Sequence, residues 1–232
     1  MTDRPGPILA LETSVPTARV AVLAADGAVR ARAEKTAARH SSNLLNLCDE
    51  VLTTAGVTVA QLGAIACGAG PGSFTGLRVG LAVAKGLALP TGLPLVLVSS
   101  LEALARDLAG PPGALVVPCL DAGKDQVYAR FFGAATSEDW ALDPAALVER
   151  IRETSHAPGV ILGGTGADRY HAIFAAALGD AAVRQQALGP SALSVGILAL
   201  QRFRRGETDD LGRAVPSYGR PPDITTPKRN RL

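Results

Sequence analysis

The apolar and polar positions of the chain divide it into recognisable elements. "ILALET" is a short apolar run, and "ARVAVLAADGAVRARAEKT" alternates on either side of Asp26 and Gly27, so the chain is expected to open as a three-stranded meander with a hairpin turn at that pair. In "NLLNLCDEVLTTAG" the residues Leu44, Leu45, Cys48, Val51, Leu52 and Ala55 recur at helical spacing; Ser41 and Ser42 offer a cap and Gly56 a stop. "LGAIACGAG" then predicts a buried strand, "LRVGLAVAKGLAL" a helix, "LPLVLVS" a second buried strand and "SLEALARDLAG" a helix.

Strands begin again at "ALVVPCLDAGKDQVYARFF", which predicts strand, turn and strand. A helix from Asp143, the strand "GVILGG", a helix near "ADRYHAIFAAAL" and a last helix "SALSVGILALQRFRRG" capped by Ser191 complete the pattern. Meander, helix, strand, helix, strand describes a mixed sheet with helices on its faces, the ribonuclease H-like arrangement. The two halves also share a detail. Glu12 closes the first strand and the next is under way at Arg19; Asp121 stands likewise before Tyr128, again seven residues on. Two lobes opening on acid-tipped hairpins fit the duplicated actin-like ATPase fold, in which such hairpins face each other across a cleft and grip nucleotide phosphates. The expected division is a first lobe over 1–100, a smaller second lobe over 101–222 and a basic, disordered tail over 223–232.

Composition narrows the class. The 232 residues are 47% hydrophobic and only 4% aromatic, enough for one large domain or two small lobes. No apolar run reaches membrane-spanning length, and Pro5 and Pro7 interrupt any secretory core, so a cytoplasmic protein is expected. The net charge is +2, but the tail holds Lys228, Arg229 and Arg231; residues 1–227 carry 20 basic against 21 acidic side chains. The body is therefore no nucleic-acid surface by charge. Cys48, Cys67 and Cys119 are widely spaced in apolar segments, which suits core positions and neither a disulfide framework nor a Cys-x-x-Cys site.

The segment 68-GAGPGSFTGLRVG-80 is rich enough in glycine to suggest a phosphate cradle. It is not a P-loop, because Leu77 and Arg78 follow Gly76 where Lys and Ser/Thr are required, and Gly70, Gly72 and Gly76 are spaced too widely for a dinucleotide fingerprint. A bend presenting amides at a helix start could still hold an anion. Gly76, Gly80, Ala84 and Ala88 recur every fourth residue, and their small size allows another helix to approach closely. The helix at "NLLNLCDEVL" is the expected neighbour, in this chain or in a partner.

"ILALETS", "HSSNLLNLCDEVL", "GAGPGSFTGLRVGLAVAKGLAL", "LVVPCLDAGKDQVYARFF" and "AVPSYGRPPD" together resemble the bacterial tRNA threonylcarbamoyladenosine biosynthesis family TsaB. The likeness is dense over residues 8–132 and thinner to about 222. It implies an α/β actin-like ATPase (ribonuclease H-like) fold of two lobes with a degenerate nucleotide cleft. It also implies a partner, the related transferase subunit TsaD, with a TsaE-type ATPase and tRNA reached through that complex and a homodimer of the isolated chain as a further state. Members pair through two helices, which here places His40, Leu44, Leu45, Cys48, Val51 and Leu52 on one helix and Gly76, Arg78, Gly80, Val83 and Ala84 on the other. Glu12, Thr13 and Ser14, with Asp121, Gly163 and Gly164, mark the vestigial cleft, with glutamate standing where the family usually has aspartate.

The residues themselves lack the chemistry of the catalytic relatives, which hold a metal with two histidines one helical turn apart. Here His40 is followed four residues later by Leu44, and His156 and His171 fall in the second half. Neither a metal nor a cofactor is expected, although residual nucleotide binding stays open. Three functions compete: a catalytically silent subunit that activates a paralogous transferase, an active ATPase or sugar-type kinase of the same fold, and a glycoprotease-type hydrolase. The missing metal ligands and the glycine-poor first hairpin turn favour the first.

Overall fold

The computed structural model describes residues 6–36, 42–108, 110–154, 159–179, 182–184 and 189–219. The chain opens with β1 (Ile8–Glu12), β2 (Thr17–Leu23) and β3 (Val29–Thr36), followed by α1 (Ser42–Ala55), β4 (Ala64–Gly70), α2 (Phe74–Thr91), β5 (Leu95–Ser99) and α3 (Ser100–Leu108). A second series follows: β6 (Leu115–Gly123), β7 (Gln126–Ala129), β8 (Phe132–Gly133), β9 (Trp140–Leu142), α4 (Pro144–Thr154), β10 (Val160–Gly163), α5 (Thr165–Arg169), α6 (His171–Leu178), β11 (Val183–Arg184) and α7 (Ala192–Arg204).

The strand order is β3-β2-β1-β4-β5 in the first sheet and β11-β10-β6-β7-β9 in the second. Read from its other edge, the second order is β9-β7-β6-β10-β11, an antiparallel meander continued by two parallel strands as in the first sheet. The expected repeat is therefore a repeat of topology. Its register differs in detail, since Glu12 pairs with Arg19 but Asp121 pairs with Val127, one residue before the expected Tyr128. The cause is the turn. Lys124 and Asp125 both adopt left-handed backbone (φ 52° and 57°) and close β6 to β7 in two residues. The four residues Thr13–Pro16 between β1 and β2 make a longer loop.

Alternation along the strands sorts the first core. Leu9, Leu11, Val20 and Val22 face α1 and α2, whereas Ile8, Ala10, Ala21 and Leu23 face α7. Helix α7 thus returns to the first sheet through Val195, Ala199 and Leu200, while α3 places Leu101, Leu104 and Leu108 against Leu120, Tyr128 and Ile161 of the second unit. Each repeat's last helix packs on the other repeat's sheet. Helix α7 therefore sits with the first lobe, although it falls within the expected second lobe over 101–222. The expected tail over 223–232 lies outside the described residues. Ser191 caps α7 by accepting from the Ser194 amide, as its sequence position implies.

Candidate functional site

The β1–β2 turn, the β6–β7 hairpin and the β10–α5 turn carry the residues expected of a vestigial nucleotide cleft. In this chain the acids of the first two are engaged from within, while Thr13 Oγ1 and Ser14 Oγ of the first turn are buried without a hydrogen-bond partner among the described residues. Glu12, at the end of β1, is fully buried and turns into the protein: its Oε1 accepts from the Ser14 amide at 2.6 Å and its Oε2 from the Ser100 hydroxyl at 3.0 Å. Ser100 in turn accepts from the Gly70 amide at 3.3 Å. Gly68 leaves room for the carboxylate, since a Cβ there would lie 2.2 Å from Glu12 Oε2. Burial raises the Glu12 pKa above the ordinary carboxylate range, and the hydrogen bonds from Ser14 and Ser100 offset only part of that cost. The next residues are closed in as well: Thr13 and Ser14 are 4% and 3% exposed, and Val15 joins the apolar cluster of Leu101, Leu104 and Leu120.

On the opposite hairpin, Asp121 receives the Gly123 amide on Oδ1 and the Arg169 guanidinium on Oδ2, both at 3.0 Å, while its own amide donates to Thr165 Oγ1. A cation from α5 thus stands on the carboxylate that a metal–phosphate site would use. Gly163 ends β10 beside Pro118, and Gly164 (φ 121°) is packed so closely on Cys119 that a Cβ would come within 2.3 Å of its carbonyl oxygen. The glycine turn serves packing between β10 and β6.

The glycine-rich segment has a structural explanation too. Ser73 caps α2 by accepting from the Gly76 amide, and its own amide donates to the Ser14 carbonyl at 2.7 Å. The loop amides are thereby partly spent on the neighbouring turn rather than offered to an anion. The small stripe on α2 faces inward: a Cβ on Gly76 would sit 2.1 Å from Thr13 O, and Gly80, Ala84 and Ala88 are all buried. The reading of Gly76, Gly80 and Ala84 as an open partner-facing stripe is therefore corrected; what Gly76 and Gly80 admit closely is no helix but Thr13 of the first hairpin turn. Leu44, Cys48, Val51 and Leu52 of α1 are likewise core residues, between 1% and 6% exposed. Burial pushes the Cys48 thiol up to about 12, and Cys67 and Cys119 higher still, so all three are inert core cysteines.

What α1 and α2 leave on the outside keeps Leu45, Arg78 and Val83 of the expected set and adds Phe74, Ala82, Gly86 and Leu89. Leu45 is 51% exposed, Phe74 49% and Leu89 73%, and Arg78, Ala82 and Gly86 are exposed between them on α2, with Val83 partly covered. Phe74, Arg78, Ala82 and Gly86 follow one another at intervals of four, so they form one solvent-facing strip. His40 lies outside the described residues. Sequence reasoning missed four contributors: Gly68, Ser100, Arg169 and Tyr218. Tyr218 was within a segment noted for its resemblance, but nothing local indicated that its hydroxyl would accept from Arg78 Nε at 3.0 Å.

Two duplicated lobes with acid-tipped hairpins define the class as an actin-like ATPase fold. The family model of TsaD, tRNA N6-adenosine threonylcarbamoyltransferase, matches residues 32–151. The tRNA threonylcarbamoyladenosine biosynthesis protein TsaB of Escherichia coli (strain K12) is 32% identical over 222 residues, 91% of this chain and 93% of that protein. A solved Pseudomonas aeruginosa structure, described as an uncharacterized protein with similarity to peptidase YEAZ, superposes with a TM-score of 0.75 at 27% identity, covering 93% of this chain and all of that one. The activator of 2-hydroxyisocaproyl-CoA dehydratase from Clostridium difficile, with bound ADPNP, shares the fold alone, with a TM-score of 0.55 at 9% identity over 86% of this chain and 96% of its own. The chain belongs to the TsaB family of tRNA threonylcarbamoyladenosine biosynthesis proteins. No helix among the described residues is long and apolar enough to cross a membrane.

Proposed function

We propose that this chain is a catalytically silent subunit that binds a TsaD-type transferase and activates it in forming threonylcarbamoyladenosine beside the tRNA anticodon. The observation that carries the reading is the state of the two acids. Phosphoryl chemistry needs carboxylates that reach a metal bridging the phosphates. Here Glu12 is spent on Ser14 and Ser100 inside the protein, and Asp121 is spent on Arg169. Supporting it, the described residues contain no group of three or more His, Cys, Asp or Glu side chains placed to hold a metal.

The partner surface in this reading is the outer side of α1 and α2, with Leu45, Arg78 and Val83 at the contact and the buried leucines and glycines holding the two helices at the right height. The TsaE-type ATPase and tRNA are reached through the complex, in keeping with the balanced charge of residues 1–227. The same face would join two copies when the transferase is absent. No resident cofactor is part of the reading.

Reconstitution tests it. Purified transferase subunit, tRNA and threonylcarbamoyl-adenylate are assayed with and without this chain; modification is expected only with both proteins, and this chain alone should give neither transfer nor ATP turnover. Turnover by the chain alone, on the order of 1 per second as in ordinary slow enzymes, would overturn the silent-subunit reading.

A further inference from the structure

We propose that Arg78 is a preset receptor for a carboxylate of the transferase-type subunit, held in position by Phe74 from its own helix and Tyr218 from the C-terminal segment. The inference rests on the proposed pairing through α1 and α2 and goes beyond it, naming the group that is recognised and the residues that prepare the receptor.

The guanidinium carbon of Arg78 lies 3.9 Å from the Phe74 ring centroid and 5.8 Å from that of Tyr218, and the two rings themselves stack at 4.9 Å with 34° between their planes. Its Nε donates to the Tyr218 hydroxyl at 3.0 Å. The two terminal nitrogens have no hydrogen-bond or ion-pair partner among the described residues, although the side chain is exposed. A guanidinium fixed along one edge and one face, with its fork left open, is arranged for two parallel hydrogen bonds to a single oxyanion. The rotamer freedom that a surface arginine loses on binding is already restricted before the partner arrives.

Tyr218 is itself fastened. The Ser217 amide donates to the Ala69 carbonyl at 2.7 Å, and Gly219 packs on Pro71 and Tyr128, so the segment crosses from the edge of β4 to the second lobe's hairpin. The aromatic pair is thereby part of the fold and not a loose surface contact.

The surroundings select a protein carboxylate over a nucleic-acid phosphate. Helices α1 and α2 carry Arg78 and Lys85 against Asp49 and Glu50, a balanced set with no clustering of cations such as a phosphate backbone attracts. On the same strip as Arg78 stand exposed Ala82, Gly86 and Leu89, an apolar face rimmed by one arginine, which is interface composition.

Titration calorimetry of the purified transferase subunit into the full chain provides the test. Arg78→Ala is expected to weaken binding by at least about 10-fold and to flatten its salt dependence, as removal of a charged partner at an interface does. Arg78→Lys keeps the charge but not the fork and should behave like Arg78→Ala. Tyr218→Phe keeps the ring stack and removes the acceptor, so it should fall between wild type and Arg78→Ala with an unchanged thermal midpoint. Unchanged affinity in Arg78→Ala, or full recovery in Arg78→Lys, would overturn the receptor; wild-type affinity in Tyr218→Phe would overturn the positioning role of Tyr218. Leu45→Asp separates this inference from the reading beneath it. If Leu45→Asp abolishes binding while Arg78→Ala does not, only the receptor falls; if neither changes binding, or the wild-type chain does not bind at all, the proposed partner face falls with it.

Discussion

Gly80 of α2 lies directly against Thr13 of the first hairpin turn, so closely that a methyl group there would come within 2.2 Å of Thr13 Oγ1. The contact makes the glycine a condition of the turn's position. Gly80→Leu is therefore expected to lower stability by about 1–3 kcal/mol through overpacking, which for a chain of this length is several degrees in thermal midpoint. The measurement is a thermal melt alongside calorimetry with the transferase subunit. A reduced midpoint with normal affinity of the folded fraction is expected; weakened affinity at an unchanged midpoint would put Gly80 on the partner surface after all.

That contact also marks how far the sequence could be read. The spacing of Gly76, Gly80, Ala84 and Ala88 correctly indicated a face made for close approach, because periodicity reports the size of side chains on a helix face. It could not report the neighbour, which comes from a distant turn. The meander, the main helices and the paired acids were legible because each depends on local alternation, capping or turn residues. The two- and three-residue strands β8, β9 and β11 were not, since segments that short carry no period of their own. The Arg169–Asp121 pair and the Tyr218–Arg78 bond escaped for the same reason as Gly80: both are tertiary contacts between charged or polar side chains that read locally as ordinary surface.

Glu12 provides a prediction in pH. Its folded-state pKa is raised by burial, so the folded chain holds this proton more tightly than the unfolded chain does. The contribution to stability is then fully present below the unfolded value near 4.5 and is lost as pH rises through the raised folded value. Glu12→Gln preserves an acceptor for the Ser14 amide and removes the buried charge. Its thermal midpoint should exceed that of wild type at pH 8, and the gap should close toward pH 4.5. A gap that widens on acidification would mean that Glu12 is stabilised as a carboxylate by the bonds from Ser14 and Ser100. Glu12→Ala is a different experiment, since it leaves those two donors unsatisfied and is expected to destabilise at every pH.

Asp121→Asn separates a structural acid from a functional one. The pair with Arg169 is part-exposed, with side chains 28% and 52% accessible, so solvent screens it and its loss should leave the thermal midpoint nearly unchanged. In the reconstituted assay, tRNA modification by the complex should be unchanged, because the acid is already engaged by Arg169. A large fall in modification with normal complex assembly would show that the cleft takes part in the reaction.

Asp107 makes the most informative single contact between the two halves. From α3 it accepts three hydrogen bonds at the start of α7: the Ser191 amide at 2.7 Å on Oδ2, and the Ser191 and Ser194 hydroxyls at 2.8 and 2.6 Å on Oδ1. A carboxylate at a helix N-terminus also meets the positive end of the helix dipole. The two helices it joins are those that pack on each other's sheets, so the contact pins the crossing on which the lobe arrangement depends. Asp107→Ala should cost about 1–2 kcal/mol, the range for a lost cap and its unsatisfied partners. The loss should be local first, seen by hydrogen exchange as faster exchange in the amides of the first turn of α7 than in β1 and β2. Partner affinity should hold, because α7 lies on the face of the first sheet given by Ile8, Ala10, Ala21 and Leu23, while α1 and α2 cover the opposite face. If Asp107→Ala instead weakened binding without disturbing the exchange of α7, the crossing helices would be coupled to the partner surface through the sheet, and the lobe arrangement would belong to the mechanism of activation.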